Sequence, residues 1–297
     1  MGKRIVLFLV TNLAIVVVLS IVLNVLGIGS YRTGTGAGPG GIDITSLAIF
    51  CFIWGMGGAF ISLQMSRWIA KRATGVRLVD GRTGNRDADW LYETVGRLAR
   101  QANLPMPEVG VYDSPEVNAF ATGPSKSRSL VAVSSGLMRS MRQDEVEGVL
   151  AHEVAHIANG DMVTMTLLQG VMNAFVMFFA RIIAAFLSRG DDRNSHGSNY
   201  LVVLVLEIGL GVLGSMVTAW FSRQREFRAD RGGAMLAGRD KMIGALQRLA
   251  GNRELVDTSH EALATLKISG GKGWMVFFST HPPLEQRIAA LQRATLT

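Results

Sequence analysis

The sequence predicts a mainly α-helical membrane protein: four transmembrane helices joined to a cytoplasmic α+β body that holds a small β-sheet. Two observations carry this. Four stretches of the 297-residue chain (5–26, 44–65, 162–187 and 200–221) contain no charged residue except Arg181 and Glu207. The remainder has the charge density of an ordinary soluble domain, so the low overall charged share of 18% is a local deficit. A wholly soluble enzyme, a disordered chain and a disulfide scaffold are all excluded by this pattern.

Each stretch exceeds the ~20 apolar residues needed to cross a bilayer core. The first follows Lys3 and Arg4 and invites a signal-peptide reading. Its apolar run is longer than the usual ~7–15 residues, which favours an uncleaved anchor. The lone cysteine, Cys51, sits inside the second stretch, where it has no partner for an internal disulfide and reads as packing. The net charge of +7 raises nucleic acid as a partner, but no basic motif interleaved with aromatics is present, so none is expected.

The basic residues lie instead beside the apolar stretches. Lys3 and Arg4 precede the first, Arg67, Lys71, Arg72 and Arg77 follow the second, and Arg223, Arg225, Arg228 and Arg231 follow the fourth. The loop 27–43 has only Arg32, and in 188–199 Arg189 and Arg193 are offset by Asp191 and Asp192. Positive residues collect on the cytoplasmic side of short loops, so both termini and residues 67–161 are expected inside. The organisation that follows is a first transmembrane hairpin (1–66), a first cytoplasmic part (67–161), a second hairpin (162–221) and a second cytoplasmic part (222–297).

Within the cytoplasmic parts, Leu91, Val95, Leu98 and Ala102 recur at helical spacing over 87–103, ending before Pro105. Short β-like runs follow at 108–113, 117–122 and 129–134, separated by Ser-Pro and Gly-Pro breakers. A helix is then expected from about Ser140 to Asn159, with Ser140 and Gln143 spaced as a capping box and Gly160 as its stop. The glycine runs 34–41 and 270–273 lack the Lys-Ser/Thr end of a phosphate-binding loop.

That helix contains His152-Glu153-Val154-Ala155-His156. Histidines four apart share one helix face, so both imidazoles reach one metal ion, and Glu153 between them is placed to take a proton from a metal-activated water. The apolar neighbours Val149, Leu150, Ala151, Ile157 and Ala158 would bury the trio, and buried polar groups without a partner are costly. A tetrahedral catalytic zinc wants a third protein ligand. His196 falls in the outer loop by topology, which leaves His260, His281 or a carboxylate. Glu226 is attractive, because 223–237 continues the fourth apolar stretch as a helix, with Asp230 one turn on to accept from a ligand histidine. The alternative is a surface glutamate paired with Arg223 or Arg228.

Residues 152–161 (HEVAHIANGD) and 222–230 (SRQREFRAD) resemble the HtpX heat-shock proteases, bacterial inner-membrane zinc endopeptidases related to the CAAX prenyl proteases. Residues 117–123 (VNAFATG) and 280–287 (THPPLEQR) match as well, and the resemblance covers nearly the whole chain. It implies one Zn2+ per chain on His152, His156 and Glu226, Glu153 as general base, and a zincin (gluzincin-like) metalloprotease domain. It also implies His281 and Arg287 as catalytic residues near the site, where the tetrahedral oxyanion needs a donor beyond zinc; for His281 a helix cap before Pro282-Pro283 is the alternative. Asn118 lies on a β-like run, where a substrate strand could add to the edge, or it is an ordinary loop residue. The implied role is hydrolysis of unfolded or misassembled membrane proteins beside the bilayer, in quality control and the stress response.

Two further expectations rest on geometry. Arg181 lies seven residues before Ser188 and Glu207 seven after Tyr200, which in an antiparallel hairpin sets both ~10 Å below the outer end, at equal depth. An intramembrane Arg–Glu pair offsets the cost of either charge alone. The same two charges would also suit a transport path, the competing reading. Finally, the cytoplasmic segment 267–273 (KISGGKG) is expected to be a site of self-cleavage.

Overall fold

A computed structural model describes residue 21 and residues 43–187, 195–258 and 279–295. The expected first span (5–26), apart from residue 21, and the segment 267–273 lie outside the described residues.

Among the described residues three helices are long and apolar enough to cross a membrane: α1 (Ile44–Thr74), α5 (Asp161–Leu187) and α6 (Ser195–Ala237, apolar from Tyr200). The other elements are β1 (Arg77–Val79), α2 (Arg86–Gln101), β2 (Glu108–Tyr112), β3 (Ala119–Ser125), β4 (Arg128–Ser134), α3 (Ser135–Ser140), α4 (Gln143–Asn159), α7 (Arg239–Thr258) and α8 (Leu284–Arg293). The chain divides into two compact units, one of Met1–Leu63 with Thr164–Thr218, the other of Gln64–Val163 with Ala219–Thr297.

The first unit is built on small residues. Gly55 of α1 leaves no room for a Cβ, which would come within 2.6 Å of the Ala174 backbone nitrogen on α5. Close approach at small residues is how helices associate where apolar burial gives no drive between them. Leu47 and Cys51 are buried against Phe50, Met177, Phe178 and Ile182. Many large apolar side chains on these helices stay exposed, Phe175, Phe179, Val205 and Ile208 among them, as a lipid-facing surface requires. Arg181 Nη1 donates to Glu207 Oε1 at 2.6 Å, so the two intramembrane charges pair across α5 and α6.

The second unit holds a four-stranded mixed sheet in the order β1-β2-β4-β3. β2 and β4 run parallel, with Val109 opposite Val131, while β1 and β3 are antiparallel edges. β4 is one of the two central strands, buried along nearly its whole length, as its run Leu130-Val131-Ala132-Val133 demands. Helix α2 presents Leu91, Val95, Leu98 and Ala99 to the core, and Asn85 caps it by accepting from the Asp87 and Ala88 amides. The sequence did not mark β1, whose three residues are too few to show a pattern.

Helix α4 is buried on most sides, through Val146, Leu150, Val154 and Ile157. It starts later than the sequence suggested. Ser140 closes the short α3, Met141 is extended, and the Arg142 amide donates to Glu145 Oε2 at 2.8 Å, which replaces the expected Ser140–Gln143 box. Its end is as expected: Gly160 adopts φ +69°, a left-handed conformation that ends helices and suits glycine. Gly148 lets α7 lie directly on α4, because a Cβ there would come within 2.4 Å of the Lys241 carbonyl oxygen.

Candidate metal centre

Three helices of the second unit build the site. Helix α4 supplies His152 and His156 one turn apart, with ring centroids 4.5 Å from each other. Helix α6 brings Glu226, 1% exposed, so that one oxygen of the carboxylate and a nitrogen of each ring all lie within 4.8 Å. Helix α8 adds Arg287, which is buried. Gly232 on α6 makes this approach feasible, since a Cβ there would sit 2.9 Å from that of Ala155 on α4.

Each imidazole is oriented through its Nδ1. For His152 the Nδ1 lies 3.0 Å from Asp230 Oδ1, and for His156 it lies 2.6 Å from Asp161 Oδ2. Each ring therefore donates Nδ1–H to a carboxylate, which leaves Nε2 as the nitrogen it can offer a metal. Arg287 Nη2 also lies 3.4 Å from His152 Nδ1, but the shorter contact to Asp230 decides the donor. The two Nε2 atoms are 3.0 Å apart and face the carboxylate at 3.5 and 3.4 Å. Acceptors of this kind, buried and converging on one point, call for a cation between them. Two imidazoles and a carboxylate are the donor set of a catalytic zinc site. The residues present therefore fit a metal ion.

The surrounding charges agree. Burial lowers the basicity of both rings, but hydrogen bonds to Asp161 and Glu226 outweigh it at His156 and raise it to about 9. His152 is also raised, by Asp230 and Glu226 against burial. Burial raises Glu226, yet its hydrogen bonds to His152, His156 and His281 hold the carboxyl far below the usual range. Glu153, half-buried on α4, adds its negative charge to both histidines.

The remaining candidates fall as follows. Asp230 is clamped by Arg287, whose Nε and Nη2 donate to its two oxygens at 2.8 and 2.5 Å. Arg287 Nη1 is 3.5 Å from Glu226. His281, 60% exposed, contacts Glu226 Oε2 through Nδ1 at 2.9 Å. Asn118 is exposed at the start of the edge strand β3; its backbone pairs with Ser134, whose Oγ accepts from the Asn118 amide and whose amide donates to the Asn118 carbonyl. Two residues at the site were not singled out from the sequence. Asp161 closed the 152–161 motif but was given no role. Arg225, whose Nη2 lies 3.2 Å from Glu226 Oε1, read as one of several basic residues beside a span.

A family model of peptidase family M48 matches residues 85–295, a range that contains every residue of the site. The chain belongs to peptidase family M48. Its relatives include Protease HtpX of Aeromonas salmonicida (strain A449), 53% identical over 98% of this chain and 99% of that one. Protease HtpX of Idiomarina loihiensis is 52% identical and the Protease HtpX homolog of Paracidovorax citrulli 54%, each over 98% of this chain and 99% of theirs. The resemblance to the HtpX proteases drawn from the motifs is thus borne out. Among solved structures, S. mikatae Ste24p superimposes with a TM-score of 0.62 at 17% identity. The match covers 98% of this chain and 66% of Ste24p, so this chain spans just under two thirds of that protein, and at this identity the likeness concerns the fold. The M48 chain is a metalloprotease that carries membrane helices, with a candidate metal site on His152, His156 and Glu226.

Proposed function

We propose that the protein is a zinc-dependent endopeptidase of the bacterial inner membrane. It hydrolyses peptide bonds of misfolded or damaged membrane proteins at the cytoplasmic face, in quality control and the stress response. The observation that carries this reading is the convergence of two imidazole Nε2 atoms and a buried carboxylate, beside Glu153 on the helix of the two histidines. Zinc held there by His152, His156 and Glu226 supplies a Lewis acid that activates water and polarises the scissile carbonyl.

The chain's own groups do the rest. Glu153 accepts the proton of the attacking water and returns it to the leaving amine. Asp230 holds His152 with Nδ1 protonated, and Arg287 holds Asp230, so Arg287 positions the site rather than touching substrate. His281, tied to Glu226 through one nitrogen and largely exposed, has a second nitrogen to offer the developing oxyanion. The edge strand β3 that begins after Asn118 pairs on one side with β4, and an extended substrate adds to the other. Basic residues after α1 and along α6 support a cytoplasmic site. In α6 five residues of one continuous helix, ~7–8 Å, separate apolar Phe221 from Glu226, which supports cleavage close to the bilayer.

The test is metal add-back. Protein stripped by chelator is reconstituted in liposomes with an unfolded membrane-protein reporter, and Zn2+, Mg2+ or Ca2+ is restored. Cleavage with zinc and none with the hard cations supports the reading. Cleavage that survives chelation would overturn it.

A further inference from the structure

We propose that Asp161, the first residue of α5, is a positioning residue that fixes His156 with its proton on Nδ1 and so turns Nε2 to the metal. The inference rests on the metal-centre reading and extends it to a residue that neither the motif spacing nor the family match assigns.

The geometry is specific. In an uninterrupted helix a residue five positions on is rotated ~500°, about 140° away from the starting side chain, and would not meet it. Gly160 breaks that course. Its left-handed φ of +69° ends α4 and swings Asp161 back beside the ring of His156. The contact is 2.6 Å from Nδ1 to Oδ2, shorter than the 3.0 Å between His152 and Asp230. Asp161 is 2% exposed, and among the described residues the ion-pair partner of its carboxylate within 4.0 Å is His156. A carboxylate out of water needs a donor, and Nδ1–H is the donor within reach.

The consequence lies at the other end of the ring. A neutral imidazole has one proton, and the nitrogen that holds it cannot ligate a metal. With Asp161 engaged at Nδ1, Nε2 carries the lone pair and faces Glu226 and His152 Nε2. Without Asp161 the proton is free to reside on Nε2 and the ring is free to turn. Asp230 does the same for His152 from α6. The two ligand histidines thus each have their own aspartate, supplied by the first residue of one apolar helix and the cytoplasmic end of another.

A plain structural role competes with this: an aspartate in the first turn of a helix stabilises that helix through its dipole, with or without metal. The two are separable in the full-length protein in detergent. Zinc affinity is measured by chelator competition at one pH for wild type, Asp161→Ala and Asp161→Asn, alongside thermal unfolding of the zinc-loaded and chelated forms. A positioning role predicts that Asp161→Ala weakens zinc binding ~10- to 100-fold, the range for removing such partners. Asp161→Asn, which keeps a neutral acceptor and a good helix start, falls in between, and in both variants the stabilisation conferred by zinc shrinks. A cap alone lowers the loaded and chelated unfolding temperatures equally and leaves zinc affinity at the wild-type value, which would overturn the proposal. Should Asp161→Ala fail to fold, Asp161→Asn decides: zinc affinity below wild type supports the role, and affinity equal to wild type ends it. A wild-type protein that binds no zinc would instead sink the metal-centre reading itself.

Discussion

Stripped of metal by a chelator, the protein should bind zinc more tightly as the pH rises from 6.5 toward 9, while the stripped fold itself becomes less stable. Both effects come from the protons that the site holds. Burial lowers His156, but its hydrogen bonds to Asp161 and Glu226 raise it to about 9, and His152 is raised in the same way by Asp230 and Glu226. Zinc needs the neutral rings, so binding must expel protons. With its value raised above neutrality, His156 holds an extra proton in the stripped site at pH 7, and zinc must displace it. Affinity should therefore climb about tenfold per pH unit from His156 alone, more steeply with His152, and level off near pH 9. Stability runs the other way. A histidine whose folded value exceeds its unfolded ~6.5 stabilises the fold fully below that pH, and the contribution is lost as the pH passes through about 9. Competition against a colorimetric chelator at buffered free zinc reads the first effect, with proton release followed in weak buffer. Thermal unfolding of the chelated protein reads the second. An affinity independent of pH, with no proton release, would refute the reasoning.

Other outcomes follow from the same contacts. Glu226→Ala removes one of three ligands and should lose both zinc and cleavage, as elemental analysis and a cleavage assay would show; full metal content would contradict the ligand set. Arg181 and Glu207 pair at 2.6 Å, so Glu207→Leu alone should cost roughly 3 kcal/mol by stranding a charge in the membrane, while Arg181→Met combined with Glu207→Leu should recover most of it. Unfolding in lipid nanodiscs gives the cycle, and additive single effects would show that the pair carries no coupling. Purified wild-type protein incubated with zinc should cut itself over hours, and chelator should keep it whole; an intact band throughout would count against an unfolded-segment protease.

Much of this site was legible because its signals are local. The spacing of His152 and His156 fixes a shared helix face, and the four-residue step from Glu226 to Asp230 does the same on α6. The match in depth of Arg181 and Glu207 followed from counting residues inward along two apolar runs. What escaped depends on the path of the chain. Asp161 reaches His156 only because Gly160 leaves the helix; the glycine marked the stop, but not the direction in which the next residue would swing. The resemblance placed His281 near the site, but its contact with Glu226 spans 55 positions and joins elements whose docking no periodicity encodes. Helix α4 starts at Gln143 and not near Ser140 because Met141 is extended and Glu145 reaches back to the Arg142 amide, a choice between two plausible starts that packing made.

The central claim is that a buried His152–His156–Glu226 centre holds a metal for peptide hydrolysis while Glu153 moves the proton. The most direct measurement compares wild type and Glu153→Gln in one preparation series, with zinc per chain and cleavage of an unfolded reporter determined on the same samples. The account predicts one zinc per chain in both proteins, with cleavage by the variant reduced at least ~100-fold, the lower bound expected on losing a general base. Equal cleavage by the two proteins at equal zinc content would contradict it.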